Sequence, residues 1–233
     1  MREWQNTFHG DSFVYDYPLG RAHYGDFGYL HIARIIHEAV RKLEYLGLNG
    51  YISCQELRAA LPNTLPNYVM GRVLMDKYAD VEEIIDEYFS AAYGADWEQA
   101  KACLSELSEL QLCDYLNGKG PRQDPSAAER LAQIEACCAR YQIRLAERNP
   151  GKSALQEGFW TRLSYHLKYV ACLTRAMWLL SCGQEQQSRE AWASMRAFIC
   201  SNEETFQPWL DVYRVLEVTE KYTGLGPPEH SPV

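Results

Sequence analysis

The order of apolar and polar residues predicts a short strand, a helix and a second strand at the start of the chain. Residues 12–17 are aromatic and β-branched and precede Pro18, which is typical of a strand. Residues 29–46 place apolar side chains at helical spacing and end at Gly47. Residues 50–54 indicate another short strand. This spacing predicts one βαβ unit, in which the two strands run parallel.

From residue 55 onward the pattern is helical. The predicted helices cover residues 55–60, 66–78, 80–93, 96–117, 126–148, 153–182, 185–200 and 208–222. Polar residues stand near several of these starts as expected N-caps: Asp96, Ser126, Ser153 and Gln184. The aromatic residues of the longest helix are interpreted as core: Trp160, Tyr165, Tyr169 and Trp178.

These patterns predict a mainly α protein, a helical bundle with a small N-terminal βαβ element. We expect a partial β/α element over residues 1–60, a helical domain over 61–223 and a disordered tail over 224–233. Two parallel strands alone do not form a stable sheet, because such strands bury both faces and sheets usually contain three or more strands. We therefore expect the strands to belong to a larger β/α structure that begins upstream. A small βαβ element packed on the bundle is the competing interpretation.

The composition and the net charge of the chain argue against several classes of function. The chain is 47% hydrophobic and its net charge is −8, most of it between residues 61 and 120. Because no basic stripe exists, nucleic acid is not expected as a partner. No apolar run approaches the roughly 20 residues that a membrane span needs, so no membrane partner is expected. The acidic stretch 76–87 is interpreted as a solvated helix face, since its spacing matches no EF-hand loop.

The cysteines give no sign of a metal site or a cofactor. None of the eight forms a C-x-x-C pair, which disfavours a zinc ribbon or a thioredoxin-type centre. Most have apolar neighbours, so we interpret them as buried reduced thiols. The first residues lack the apolar stretch of a signal peptide. As the chain stands, these observations predict a reducing, cytoplasmic compartment.

Four segments resemble a bacterial family that has a glycosidase-like barrel, domain of unknown function 4838. Residues 14–19 are similar to its aromatic penultimate strand, and residues 46–51 to its approach to the last strand. The family has two helical motifs after the last strand, and they are similar to residues 65–76 and 87–94 of this chain. Met75 stands where the family often has tryptophan. The likeness covers about residues 8–120 of the chain.

The resemblance implies a (β/α)8 barrel, related to α-glucuronidase and hexosaminidase-type glycosidases, followed by a helical domain. This chain would supply the last two barrel strands and that helical domain. A whole barrel needs about 250 residues, so the usual pair of catalytic carboxylates would lie partly on strands that this chain lacks. We therefore expect no catalysis by this chain alone.

The resemblance also selects candidate site residues, because side chains at the carboxyl ends of barrel strands point into the active site. The candidates for carbohydrate contact are Asp16, Tyr17, His23, Tyr24 and Asp26 after the first strand, and Gln55 and Glu56 after the second. The simpler interpretation, polar loop residues and a helix-start glutamate, stays open. Asp16 is unusual because it lies within a strand, between two tyrosines.

Two functions follow from these expectations. The first is a helical portion of a glycoside-hydrolase-like protein that supports, or forms one wall of, a carbohydrate site. The second is a free-standing helical interaction module or homodimer. In that second case the exposed edges of the N-terminal strands would be covered by self-association.

Overall fold

The computed structural model describes residues 2–18, 25–54 and 60–225. Most of these residues are helical, which confirms the mainly α fold. Residues 55–59 of the predicted helix at 55–60 and most of the predicted tail lie outside the described residues. The elements are α1 (Arg2–Thr7), β1 (Phe13–Asp16), α2 (Leu30–Arg41), β2 (Gly50–Ser53), α3 (Leu65–Met75), α4 (Val81–Tyr93), α5 (Trp97–Glu109), α6 (Cys113–Leu116), α7 (Pro125–Glu147), α8 (Ala154–Ser181), α9 (Glu185–Ser201), α10 (Glu203–Phe206) and α11 (Val212–Thr223).

The N-terminal strands pair as the sequence predicted. β1 and β2 run parallel, with Val14 opposite Tyr51 and Asp16 opposite Ser53. Beyond the strand, the backbone N–H of Cys54 donates to the Asp16 carbonyl at 3.0 Å. The connection between the strands contains α2, so the βαβ unit is confirmed. Within the described ranges the sheet has these two strands and no third.

Side-chain caps explain where several helices begin. The Asp80 carboxylate accepts from two backbone N–H groups of the first turn of α4, at 2.8 and 3.1 Å. Asp124 caps α7 in the same way, so Ser126 lies inside that helix instead of capping it. Ser153 caps α8 as predicted. Asp96 and Gln184 precede helices but make no side-chain cap.

Several predicted boundaries were wrong. The helix expected over residues 96–117 is interrupted, because α5 ends at Glu109 and α6 begins at Cys113. The first predicted helix ends at Arg41 and continues as turns to Gly47, whose φ of 67° is easy for glycine. Apolar periodicity continued through these breaks, so the pattern alone did not reveal them. The short helices α1 and α10 were not predicted.

One core joins α2 to the helices that follow. Phe27, Leu30 and Ala33 pack in the same buried cluster as α4, α5, α7 and α8, so the core continues across residue 60. Trp160 on α8 donates from Nε1 to the Tyr93 carbonyl at 3.1 Å, and the two rings meet edge to face at 5.0 Å. Burial of Trp160, Tyr165 and Tyr169 confirms three of the predicted core aromatics. The fourth, Trp178, packs at the margin of the core.

The charged and thiol groups have ordinary structural environments. Three acidic side chains of α4 are about half exposed and form ion pairs: Glu82 with Arg34 at 2.8 Å, Asp86 with Lys101 and Glu87 with Arg72. All eight cysteines are free, and three of them are buried: Cys103, Cys137 and Cys138. In the part of the chain that the structure describes, no group of acidic, histidine or cysteine side chains could hold a metal. No helix there has the length and apolar character to cross a bilayer.

Candidate functional site

The two faces of the small sheet have opposite environments. In a parallel pair, alternate side chains project to opposite faces, and residues directly across the pair share a face. One face is formed by Phe13, Tyr15, Tyr17 and Ile52, which we call the aromatic strand face. Their exposed fractions are 61%, 53%, 46% and 44%. Parallel strands usually have both faces covered, so exposure of four large apolar side chains marks a surface suited to binding.

The tyrosines of the aromatic strand face are held in place by their neighbours. The Tyr15 and Tyr17 rings meet edge to face, with centroids 5.2 Å apart. The Tyr15 hydroxyl donates to Cys54 Sγ at 3.0 Å. This hydrogen bond to Cys54 is the main cause that raises the pKa of Tyr15, so its phenol stays protonated at neutral pH. The result is an ordered and uncharged aromatic surface at the carboxyl end of β1.

The opposite face of the sheet borders a cavity of about 330 Å³, which we call the strand–helix cavity. One wall is the apolar side of α2, formed by Ile32, Ile35, Ile36 and Ala39. Asp16 and Tyr51 approach from the strands. Further lining comes from Pro18, Asp26, His31, Gln111 and Cys113. The cavity is therefore mainly apolar, with polar groups from Asp16, Tyr51, Asp26, His31 and Gln111 at its walls.

Asp16 is anchored within this cavity wall. Its Oδ1 accepts from the Tyr17 backbone N–H at 2.8 Å, and its Oδ2 accepts from the Tyr51 hydroxyl at 3.1 Å. These hydrogen bonds explain how a carboxylate is tolerated inside a strand between two tyrosines. Asp16 thus faces α2, whereas Tyr17 belongs to the aromatic strand face.

Asp26 supports the start of α2 from inside the fold. It is 1% exposed. Its Oδ1 accepts from the backbone N–H groups of Gly28 and Tyr29 at 3.2 and 3.1 Å, and from Ser108 Oγ at 2.6 Å. Its Oδ2 accepts from the Ile32 N–H at 2.8 Å. These donors stabilise the buried carboxylate of Asp26, because the N–H groups at the start of a helix interact favourably with a negative charge.

The carboxylates and the thiol that line the strand–helix cavity are engaged by hydrogen bonds within the fold. Asp16 and Asp26 already accept hydrogen bonds that hold the fold. The Cys113 thiol donates to Gln111 Oε1 at 3.1 Å, and burial raises its pKa, assisted by the negative charges of Asp26 and Asp114. Cys113 is therefore a thiol at neutral pH, and a thiol is a weak nucleophile.

The structure separates the residues that the sequence grouped into one site. Tyr17 lies on the aromatic strand face, and Asp16 and Asp26 line the cavity behind it. His23, Tyr24, Gln55 and Glu56 lie outside the described residues, so their carbohydrate contacts stay predictions.

Sequence reasoning missed two features of the site. The first is that Phe13 and Tyr15 share a face with Tyr17. The alternation of aromatic residues over 13–17 could have predicted this shared face. The contact between Tyr51 and Asp16 had no signal in the sequence, because it depends on the register of the two strands.

The fold and the site define a mainly α-helical protein that carries a two-stranded parallel sheet with one exposed aromatic face. No family model matches the chain, and no curated protein or solved structure shows significant similarity to it.

Proposed function

We propose that this chain is the helical portion of a glycoside-hydrolase-like protein and that its aromatic strand face forms one wall of a carbohydrate site. The observation that carries the proposal is the exposed aromatic row on β1, formed by Phe13, Tyr15 and Tyr17. Aromatic rings cover the apolar faces of sugars, and a nearby phenol hydroxyl hydrogen-bonds to their hydroxyl groups.

The position of α2 supports the same proposal. In a β/α barrel the helices cover the outer face of the strands, and the other face lines the interior. Tyr51 packs against the apolar cluster of α2, so its side of the sheet corresponds to the outer face. The aromatic strand face then corresponds to the interior, and Tyr17 lies at the carboxyl end of β1, where barrel enzymes bind their substrates.

The chain's own role in this proposal is binding and support. The carboxylates of Asp16 and Asp26 are on the α2 side of the sheet or buried, and each is held by donors of the fold. A glycosidase needs two carboxyl groups on opposite sides of the scissile bond. The catalytic pair would therefore come from other strands of the complete barrel.

Removal of one tyrosine ring tests the carbohydrate wall. We expect the protein to bind at least one member of a panel of soluble cello-, xylo-, manno- and chito-oligosaccharides in calorimetric titrations. Tyr15→Ala and Tyr17→Ala should each weaken that binding roughly tenfold, because each removes about 1.5 kcal/mol of apolar contact. Tyr213→Ala is the matched control, since Tyr213 is 77% exposed on α11, away from the sheet. Equal losses in all three variants, or no sugar binding by the folded protein, would contradict the proposal.

A second candidate function is self-association through the same strands. Its supporting observation is that β1 and β2 each have one neighbour within the described sheet, which leaves an outer edge on either side. Unpaired edges beside exposed apolar residues favour pairing with another chain.

The mass in solution separates the two candidates. Self-association predicts a particle of twice the 26.8 kDa chain in light scattering, and Ile52→Lys should return it to the monomer because the lysine charge would be buried. A monomer at every concentration that still binds sugar favours the carbohydrate wall.

A further inference from the structure

Helix α8 buries an arginine that has no acidic partner among the described residues. Arg162 is 8% exposed, and its Nε is fully buried without a hydrogen-bond acceptor. Burial lowers the pKa of Arg162, but an arginine remains charged at neutral pH. A buried charge without a counter-ion destabilises a fold by several kcal/mol. An anion bound to Arg162 would remove this cost.

Two aromatic rings fix the orientation of the guanidinium group. Its Cζ lies 4.1 Å from the centroid of Phe159 and 4.9 Å from that of Trp209. Contacts of this kind stabilise a cation over a ring, but they donate no hydrogen bond. The N–H groups lie in the guanidinium plane, so only the edge of the group is available to an acceptor.

Two more buried polar groups lie near Arg162. The Tyr93 hydroxyl and the Nδ2 of Asn63 interact with each other, and neither has another partner in the described structure. Asn63 lies next to Tyr93, and Tyr93 lies within electrostatic range of Arg162. Burial raises the pKa of Tyr93, which therefore keeps its proton. The neighbouring Tyr88 hydroxyl is already bonded to Thr64, at 2.9 Å from its backbone nitrogen.

We propose that Arg162, Asn63 and Tyr93 form a binding site for a small-molecule carboxylate. All three present hydrogen-bond donors, and buried donors without acceptors are rare in native structures. A carboxylate is planar and accepts two parallel hydrogen bonds from an arginine edge. The rings of Phe159 and Trp209 beside the guanidinium would contact an apolar part of such a ligand. This site is separate from the strand–helix cavity and does not depend on the carbohydrate proposal.

Titration with acetate tests the site directly. The probe is acetate, added at constant ionic strength against chloride, and the readouts are the Nε–H resonance of Arg162 and the thermal midpoint of unfolding. We expect the Arg162 resonance to shift along a saturable curve and the midpoint to rise with acetate. Phosphate should bind more weakly than acetate, because it also accepts two hydrogen bonds from an arginine edge but has no apolar group to contact the two rings.

Matched variants identify the residue responsible. Arg162→Gln should weaken acetate binding by roughly tenfold or more. Arg175→Gln is the control, because Arg175 is also on α8 and also stacks on a ring, that of Trp178 at 4.7 Å, but is exposed. It should leave acetate binding within about twofold of the wild type.

Four results would overturn the proposal. They are a shift that chloride reproduces, equally tight binding of phosphate, equal losses in the two arginine variants, and an Arg162 resonance that does not respond to acetate. If Arg162→Gln does not fold, the resonance of the wild-type protein still decides the question.

Discussion

Replacement of Asp26 by alanine is expected to lower the free energy of unfolding by about 4 kcal/mol. The carboxylate accepts from the N–H groups of Gly28, Tyr29 and Ile32 and from the Ser108 hydroxyl. Alanine would leave the N–H groups of Gly28 and Ile32 and the Ser108 hydroxyl without this acceptor, whereas the Tyr29 N–H would keep the backbone carbonyl of residue 26 at 3.3 Å. Tyr29 precedes α2 with a left-handed φ of 66°, and its side chain does not cap the helix. Asp26, three residues upstream, therefore supplies the N-cap of α2.

The strength of this effect comes from the connection between two helices. Ser108 on α5 donates to Asp26 and accepts from the Leu30 N–H at 3.0 Å. At the same point Gly28 lies so close to α5 that an added Cβ would lie 1.8 Å from the Leu104 carbonyl oxygen. Loss of the carboxylate therefore weakens both the start of α2 and its contact with α5.

Urea unfolding with two comparison variants checks this prediction. Asp26→Asn keeps the shape but points an N–H₂ group at a donor, so it should cost about 2–3 kcal/mol. Asp16→Asn should cost less than about 1 kcal/mol, because Asp16 is only partly buried and accepts two hydrogen bonds. If Asp26→Ala is as stable as the wild type, Asp26 is not a structural residue and its predicted role in ligand binding gains support.

The second large effect is a loss of stability in acid, caused by His166. This side chain is 3% exposed, and its Nε2–H donates to the Phe27 carbonyl at 2.7 Å. Its Nδ1 is buried without a partner in the described structure, and its surroundings include Leu61, Leu210 and Val215. Burial lowers the pKa of His166 from 6.5 to about 4.

The direction of the pH effect follows from which state binds the proton more tightly. Between pH 6.5 and pH 4 the unfolded chain protonates this histidine and the folded protein does not. The contribution of His166 to stability is therefore complete above pH 6.5 and is lost as the pH falls toward 4. At 1.36 kcal/mol for each pKa unit, the loss near pH 4 is about 3 kcal/mol.

A comparison with His166→Gln isolates this contribution, because glutamine retains an N–H donor for Phe27 but does not titrate. Unfolding free energies at pH 7 and pH 4 should show that the wild type loses about 3 kcal/mol more than the variant. Paired carboxylates such as Glu82 and Glu87, whose pKa values are lowered mainly by hydrogen bonds to arginine, also destabilise the fold in acid. Their effect is common to both proteins and cancels. Equal acid sensitivity of the two proteins would show that His166 is not the group responsible.

Comparison of the predicted with the observed helices shows which helix boundaries a local sequence pattern can predict. The sequence predicted a helix over residues 80–93, and α4 is Val81–Tyr93. In the structure Asp80 supplies its cap, and Gly94, with a positive φ of 72°, ends it. The break between α5 and α6 was missed, since both sides of it are apolar and helical in pattern. N-cap residues and glycines act on backbone groups a few residues away, so the sequence alone reveals them. An interruption of a helix within a continuous apolar pattern depends on the segments that pack against it.

The candidate site shows the same limit. The sequence placed Asp16, Tyr17 and Asp26 together at the end of a strand, and all three lie near it. It did not indicate that Tyr17 faces outward, that Asp16 is bonded to Tyr51 and that Asp26 is a buried cap. These differences depend on the strand register and on the contact with Ser108, which is 82 residues away in the chain.

The sequence by itself determined the parallel strand pair, most of the helices and the burial of three aromatic residues in α8. These features follow from periodicity, caps and glycines, which act between residues close in the chain. Only the tertiary structure decided which face of β1 is exposed and which polar groups remain without partners inside the fold. Such properties depend on the packing of distant segments, and a local pattern does not contain that information.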